Sequence, residues 1–394
     1  MRPLVGLRGR LAILVMLADS ALLSLIFTAL PPALPAIADF FGGGPDGALT
    51  AQMVMTMPSI GLMLGGVFSG WFVDRIGART TLLAALALYA AMGAAGLFVD
   101  DPTTLLATRL VLGFAGVTVG TANGYLIGIF VDPAMRARIL GYRNAFGGVV
   151  GVIGIYSAGP LVEYVGWRAA FAIYVVVAVA VFALAMTVIP ATPPPKVEPA
   201  TPMAAPRASL LTLLPLLPFY ALVVPYSIVM MINGAQLSFL LLGDGVTSPT
   251  TQSWVIGLGG VFSATASMFY GAIRTNFGAK GTFSLMAACL GGGTLVIGLS
   301  HNIWLQGVGS AITGFGCGVL VPYFYSVVYE RAPRDSLGRG IGFMFSAIFL
   351  GDFLNPMVLG GITALTGIHL MFCIVGAVVL ATAAAPIFLR RLRS

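Results

Sequence analysis

Charge is what this sequence has least of. Only 8% of its 394 residues are Asp, Glu, Lys or Arg, against roughly 25% in a soluble globular protein. A water-facing surface cannot be built from so few charges, so most of this surface is expected to face lipid. Histidine and cysteine are also scarce. The two histidines, His301 and His369, fall at predicted helix ends without a ligand-like neighbour in sequence, and no metal is expected. Cys289, Cys317 and Cys373 each lie in an apolar run with no pairing or metal spacing, and read as small buried hydrophobes. Walker P-loop, H-E-x-x-H and G-x-S-x-G patterns are missing, and no internal loop has room for a catalytic domain. Neither an enzyme, nor a cofactor, nor direct drive by ATP is expected.

What is abundant is apolar sequence. Hydrophobic residues make up 58% of the chain and glycine contributes 51 residues. Apolar runs of about 20 residues recur, each long enough to cross a hydrocarbon core of roughly 30 Å. Glycine suits close helix packing in lipid. The predicted spans are 10–38, 48–72, 80–99, 103–130, 139–164 and 168–190, then 209–241, 251–273, 281–299, 303–329, 340–366 and 368–389. The first follows Arg2, Arg8 and Arg10, as a signal peptide would. It contains Asp19 and continues to about Ile37, longer than a signal core, so it is expected to be an uncleaved span.

The segment from Ala191 to Ala208, ATPPPKVEPATPMAAPRA, breaks the apolar pattern. It reads as a flexible linker (191–208) between an N-terminal six-helix half (1–190) and a C-terminal one (209–394). The net charge of +7 is explained by topology rather than by a nucleic-acid partner. With the N-terminus cytoplasmic, 18 of the 20 Lys and Arg residues fall in cytoplasmic segments, and only Arg109 and Arg168 do not. The opposite face carries Asp39, Asp46, Asp100, Asp101 and Asp244, and no Lys. Both termini and the linker are therefore expected to be cytoplasmic.

The halves are related. Shifted by 201 residues, Gly70, Gly77, Ala78 and Arg79 fall on Gly271, Gly278, Ala279 and Lys280. Gly113 and Phe114 fall on Gly314 and Phe315; Gly159, Gly166 and Phe171 fall on Gly360, Gly367 and Phe372. One constant offset implies two parallel repeats about an axis along the membrane normal, with a substrate site expected near mid-membrane between them.

The loop after the second span reads GWFVDRIGAR, from Gly70 to Arg79. It resembles the G-x-x-x-D-R-x-G-R-[RK] signature of the major facilitator superfamily, with Ala78 in place of one Arg. Arg109-x-x-Leu112-Gly113 and Gly166-Trp167-Arg168-x-x-Phe171 are similar to further patterns of that family. The resemblance implies an all-α membrane protein of twelve transmembrane helices in two pseudo-symmetric halves, the major facilitator fold. It also implies a conformational latch made by Gly70, Asp74, Arg75, Gly77 and Arg79. Gly77 would end the second span with a positive φ, and Asp74 would meet the positive N-terminus of the eleventh span. Asp19 followed by Ala29-Leu30-Pro31 and Pro35-Ala36-Ile37 looks like the start of drug/proton antiporters. The fifth span departs from that branch: Gly154-Ile155-Tyr156-Ser157-Ala158-Gly159 lacks the Pro of its G-P-x-x-G-G stretch.

A charge at mid-span costs roughly 2.5–3.5 kcal/mol on insertion scales, so each such residue is a functional candidate. Asp19, Arg109 and Asp352 stand out. The family places the first and fourth spans side by side, and helix rise sets Asp19 and Arg109 at compatible depths. They are expected to face each other or to share a cavity, as a proton-coupling unit or as a static pair. Asp352 is expected to contact substrate or ion, or to cap a helix break near Asn355 and Pro356. Other polar residues on the predicted cavity helices are Asn123, Tyr125, Asn144, Asn233, Gln236, Tyr323, Tyr325 and Asn355. The function expected is proton-coupled export of small amphipathic compounds. The alternative is proton- or substrate-coupled uptake of an organic anion held by Arg109. The expected partners are that small molecule, protons and the lipid bilayer. A monomer in a bacterial inner membrane is expected.

Overall fold

The computed structural model describes residues 6–190, 210–333 and 336–384. The linker read at 191–208, Arg2, and the C-terminal basic residues Arg390, Arg391 and Arg393 lie outside them. Every regular element among the described residues is helical. In the first half these are α1 (Gly6–Thr28), α2 (Leu34–Phe40), α3 (Gly44–Ile76), α4 (Ala78–Ala95), α5 (Pro102–Phe130), α6 (Pro133–Val165) and α7 (Ala169–Val188). The second half has α8 (Leu217–Met230), α9 (Ile232–Ala235), α10 (Leu237–Gly243), α11 (Pro249–Met268), α12 (Tyr270–Leu299), α13 (Ile303–Arg331), α14 (Leu337–Thr366) and α15 (Ile368–Thr382). Among the described residues, ten segments are long and apolar enough to cross a membrane. The less apolar α11 and the shorter α15 complete the twelve that the hydropathy pattern predicts. One compact unit comprises Met1–Gly43 and Thr50–Met203, the other Gly44–Leu49 and Ala204–Ser394.

The repeat is visible in backbone detail. Gly77 and Gly278 have φ of 85° and 64°, and Gly166 and Gly367 have φ of 106° and 84°. Each pair turns the chain at equivalent points, in a region that a Cβ disfavours. Equivalent helices also meet at equivalent glycines. A Cβ on Gly113 would lie 2.1 Å from the Pro58 carbonyl oxygen, and one on Gly314 would lie 2.1 Å from that of Gly259. These approaches seat α5 on α3 and α13 on α11. Asp101 caps α5 by accepting from the Thr104 N–H at 2.7 Å, and Asn302 caps α13 by accepting from the Trp304 N–H at 2.9 Å.

The first span of each half is broken. In the first half α1 gives way at Ala29 to a 3-10 turn over Pro31–Ala33, where the prolines lack the N–H that an unbroken helix needs. In the second half the helix breaks at Met231 and again at Gln236, the equivalent stretch. Paired interruptions of this kind leave backbone carbonyls without helical partners inside a membrane protein, and side chains must satisfy them.

Candidate functional site

In the first half, the buried charge cluster forms where α1, α5 and α6 meet. Ser20, Ser24 and Thr28 recur every four residues along α1, and Gly147, Gly151 and Gly154 run along the facing side of α6. A Cβ on Gly147 would come within 2.9 Å of Ser20, one on Gly151 within 2.1 Å of the Ser24 hydroxyl, and one on Gly154 within 2.5 Å of Leu25. The small-residue stripe therefore brings the two backbones together. One turn before Gly147, Arg143 reaches Asp19 with two hydrogen bonds: Nε to Oδ1 at 3.1 Å, and Nη2 to Oδ2. The Ser20 hydroxyl donates to the Arg143 carbonyl at 2.6 Å, fixing the turn that carries the guanidinium. Gly120 of α5 leaves room beneath the pair; a Cβ there would lie 3.2 Å from Asp19 Oδ2. Asn123, one turn further, donates to the Val15 carbonyl at 3.0 Å, and its buried Oδ1 has no hydrogen-bond partner among the described residues. Asp19 is fully buried, and Arg143 is about a quarter exposed at 23%.

This corrects the expected pairing of Asp19 with Arg109. Arg109 is also fully buried, but its helix face turns toward α3 and α7. Its Nε donates to the Val54 carbonyl at 3.2 Å and its Nη2 to the Tyr174 hydroxyl at 3.1 Å. The guanidinium lies over the Tyr174 ring at 4.6 Å and the Phe171 ring at 5.3 Å. Nη1 has no hydrogen-bond partner among the described residues. Depth along the membrane, which rise per residue predicts, was compatible with either partner; rotation about the helix axis separates Arg109 from Asp19. Arg143 counts among the cytoplasmic cations in the sequence because it lies only four residues inside the predicted edge of the fifth span, 139–164. The helix starts at Pro133 and carries Arg143 inward. The alternation of Ser20, Ser24 and Thr28 against Gly147 and Gly151 was the signal in the sequence that could have found this contact.

The second half holds a different arrangement. A Cβ on Gly351 of α14 would lie 2.5 Å from the Val224 carbonyl oxygen, so α14 rests directly on α8. Asn355 donates to the Ile228 carbonyl at 2.7 Å, near the broken end of α8, and accepts from Gln236 Nε2 at 3.2 Å. These two predicted residues thus hold the interrupted span together. Asp352, one turn before Asn355, is 1% exposed, and its Oδ1 has no hydrogen-bond partner among the described residues. It is in no ion pair among them either. Asn233 approaches Ser310 at 3.3 Å. Tyr323 and Tyr325 are half-buried in aromatic clusters with Phe283 and Phe345. Tyr125 is half-buried and Asn144 exposed, and neither joins the Asp19 cluster.

In the loop after α3, Gly77 terminates that helix as expected. Arg79 donates to the Met186 carbonyl at 3.1 Å, tying the loop to the end of α7. Arg75 stacks on Trp71 at 5.5 Å, and Asp74 is exposed. A Cβ on Gly70 would meet nothing within 4 Å, so close contact within this half does not require glycine there.

Comparison with known proteins matches the description Major Facilitator Superfamily over residues 20–243 and 220–394. The niacin transporter NiaP of Acinetobacter baylyi is 28% identical over 131 residues, 32% of this chain and 30% of that protein. The puromycin resistance protein pur8 of Streptomyces alboniger is 28% identical over 173 residues, 44% of this chain and 33% of that protein. The chain thus spans about a third of the length of these curated relatives. The crystal structure of the nucleoside transporter NupG superposes with a TM-score of 0.76 at 13% identity, covering 97% of this chain and 98% of that one. At that identity the likeness is one of fold.

Proposed function

The chain belongs to the major facilitator superfamily, and from that premise we propose that this transporter couples proton movement to the export of small amphipathic compounds by alternating access. The observation that carries the reading is the buried Asp19–Arg143 pair. A carboxylate taken out of water is retained only with a partner, and breaking such a pair is strongly unfavourable. Asp19 releases Arg143 most readily when it takes up a proton in its place. A conformational change that separates α1 from α6 near residues 19 and 143 would therefore drive proton uptake at Asp19. Asp352 is the second proton carrier in this proposal, since a buried carboxyl without a cation is best accommodated neutral. The 201-residue repeat and the broken first span of each half support alternating access, and the Arg distribution supports cytoplasmic termini.

The test uses protein reconstituted in vesicles under an imposed pH difference. Asp19→Asn should still bind substrate, and should lose concentrative transport. The purified protein, screened by thermal shift against antibiotics and small metabolites, first supplies the substrate, because a ligand that binds the folded state stabilises it. Concentrative, pH-driven transport by both Asp19→Asn and Asp352→Asn would exclude proton coupling through these residues.

Transport of an organic anion is the second reading, favoured by the relative named as a niacin transporter. Arg109 does not serve it as a ligand in this arrangement. The guanidinium is enclosed by Phe171, Tyr174 and the α3 backbone, and no part of it is exposed.

A further inference from the structure

The two histidines, unremarkable in sequence, come together in the second half. Asp244 follows α10, His301 lies between α12 and α13, and His369 is the second residue of α15. All three belong to the same compact unit. His301 Nδ1 lies 2.6 Å and His369 Nε2 lies 3.1 Å from the same Asp244 oxygen, Oδ1. The other oxygen, Oδ2, accepts from Gln306 Nε2 at 2.5 Å. Gln306 is fully buried, and its amide also donates to the Ser300 carbonyl at 2.8 Å, which fixes its orientation. His369 Nδ1 lies 3.0 Å from the Gly298 carbonyl. A carbonyl only accepts, so Nδ1 carries hydrogen. In the neutral ring Nε2 then presents a lone pair to a carboxylate oxygen. That contact is favourable only if a cation lies between them.

The equivalent place in the first half shows what supplies the cation there. Shifted by 201 residues, Asp100 falls on His301 and Arg168 on His369. Asp100 and Arg168 form an ion pair, and Arg168 also lies over Phe40 and Trp167 at 4.7 and 4.4 Å. The first half thus carries its cation covalently. The second half has two imidazoles in these positions and takes its carboxylate from Asp244, with the imidazole centroids 4.2 Å apart. With hydrogen alone, His301 donates its Nδ1–H to Oδ1 as a neutral ring and only His369 needs a second proton. One divalent ion satisfies both ring nitrogens and Oδ1 together.

We propose that Asp244, His301 and His369 form a site for a divalent transition-metal ion of the zinc class, which clamps the end of α10 to the starts of α13 and α15. Two imidazole nitrogens and one carboxylate oxygen suit such an ion rather than calcium or magnesium. The three ligand atoms lie within 4.8 Å of one another. Tetrahedral coordination at 2.0–2.2 Å separates ligand atoms by about 3.3 Å, so Oδ1 needs to part from His301 Nδ1, now at 2.6 Å, by about 0.7 Å and from His369 Nε2, now at 3.1 Å, by about 0.2 Å. The outer contacts also match a metal site. Gly298 holds the tautomer of His369 that leaves Nε2 free, and Gln306 occupies Oδ2 so that Oδ1 is the ligand. His301 is 74% exposed, which gives the ion a route in and leaves a fourth position for water.

The full-length protein, purified in detergent without a polyhistidine tag, is titrated with cobalt chloride. The visible absorption of tetrahedral Co²⁺ is read, and zinc chloride is then added. One equivalent of Co²⁺ should bind and be displaced by Zn²⁺, and Zn²⁺ should raise the melting temperature. Asp244→Asn and His301→Ala should each weaken binding at least tenfold. His369→Arg, which puts the first half's cation opposite Asp244, should fold normally, abolish the cobalt band and remove the Zn²⁺-dependent shift. If His369→Arg does not fold, His301→Ala decides, because its exposed ring carries little packing. No saturable one-equivalent band in the wild type, as a proton-only cluster predicts, would overturn the proposal. So would a band that persists unchanged in His301→Ala.

Discussion

The two six-helix halves share a backbone plan and differ in how they handle negative charge. In the first, buried Asp19 is paired with Arg143, and exposed Asp100 with Arg168. In the second, buried Asp352 is in no ion pair among the described residues, and Asp244 faces two histidines. The difference is not carried by the glycines that build the helix contacts, since Gly113 and Gly314 meet their partner backbones at the same 2.1 Å. Duplication therefore fixed the packing, while substitution at a few polar positions gave the first half two Asp–Arg pairs whose equivalent positions in the second half are Tyr220, Met344, His301 and His369. Arg109 illustrates this. Its equivalent in the second half is Ser310, and the equivalent of Tyr174 is Val375, so the aromatic-lined cation has no counterpart.

The comparison is broken most severely by removing a cation from the first half. Arg143→Ala leaves Asp19 buried and unpaired, and is expected to destabilise the protein by about 3–5 kcal/mol in denaturant unfolding. A double-mutant cycle sharpens the point. Asp19→Asn and Arg143→Ala should be strongly non-additive, whereas Asp19→Asn and Arg109→Ala should add to within about 0.5 kcal/mol. The reverse pattern would restore the pairing expected from helix depth.

The shared packing is tested at the paired glycines. Gly113→Ala and Gly314→Ala each force a Cβ against a carbonyl oxygen, and each should cost about 1–3 kcal/mol. Clearly unequal losses in melting temperature would show that the halves are not equivalent as packing units.

Asp74 probes an asymmetry of the loops, because the equivalent residue is Thr275. Asp74 is exposed and in no ion pair among the described residues. Asp74→Asn should leave expression and melting temperature unchanged and lower transport several-fold, if its partner is met in one conformational state. Unchanged transport at equal expression would reduce Asp74 to a turn residue.

The smallest effect is expected at the helix caps. The N–H of Thr104 beside Asp101 holds its carboxyl below the usual carboxylate range. A lowered folded value means that the ionised cap stabilises above the unfolded value of about 3.9, and that this contribution disappears as pH falls through the folded value. Asp101→Ala should therefore lower the melting temperature slightly at neutral pH, with the gap to wild type closing in acid. Asn302→Ala, at the equivalent cap, should show a gap that does not depend on that titration.

Much of the fold was legible in the sequence because lipid imposes simple rules. A span must be apolar for about 20 residues, and backbone groups there must bond within the helix. Segment lengths, the 201-residue repeat and the positive φ at Gly77 and Gly278 all follow from local composition. The candidate site was legible only as a set of names. Asp19, Asp352, Gln236 and Asn355 were marked by the cost of burying polar groups, and the structure joins Gln236 to Asn355 as a bridge across a broken span.

The sequence by itself determined the spans, the doubled architecture and which residues are too polar to be there without a reason. Only the tertiary structure decided who meets whom. Rise along a helix is fixed at about 1.5 Å per residue and can be counted, so depth is a property of the chain. Rotation of one helix against another is set by which small residues let two backbones touch. The glycines of α6 against the serines of α1 gave Asp19 to Arg143 rather than to Arg109. By the same physics three chain segments, separated by 57 and 68 residues along the sequence, converge at one end of the second half. There they place His301 and His369 on a single oxygen of Asp244.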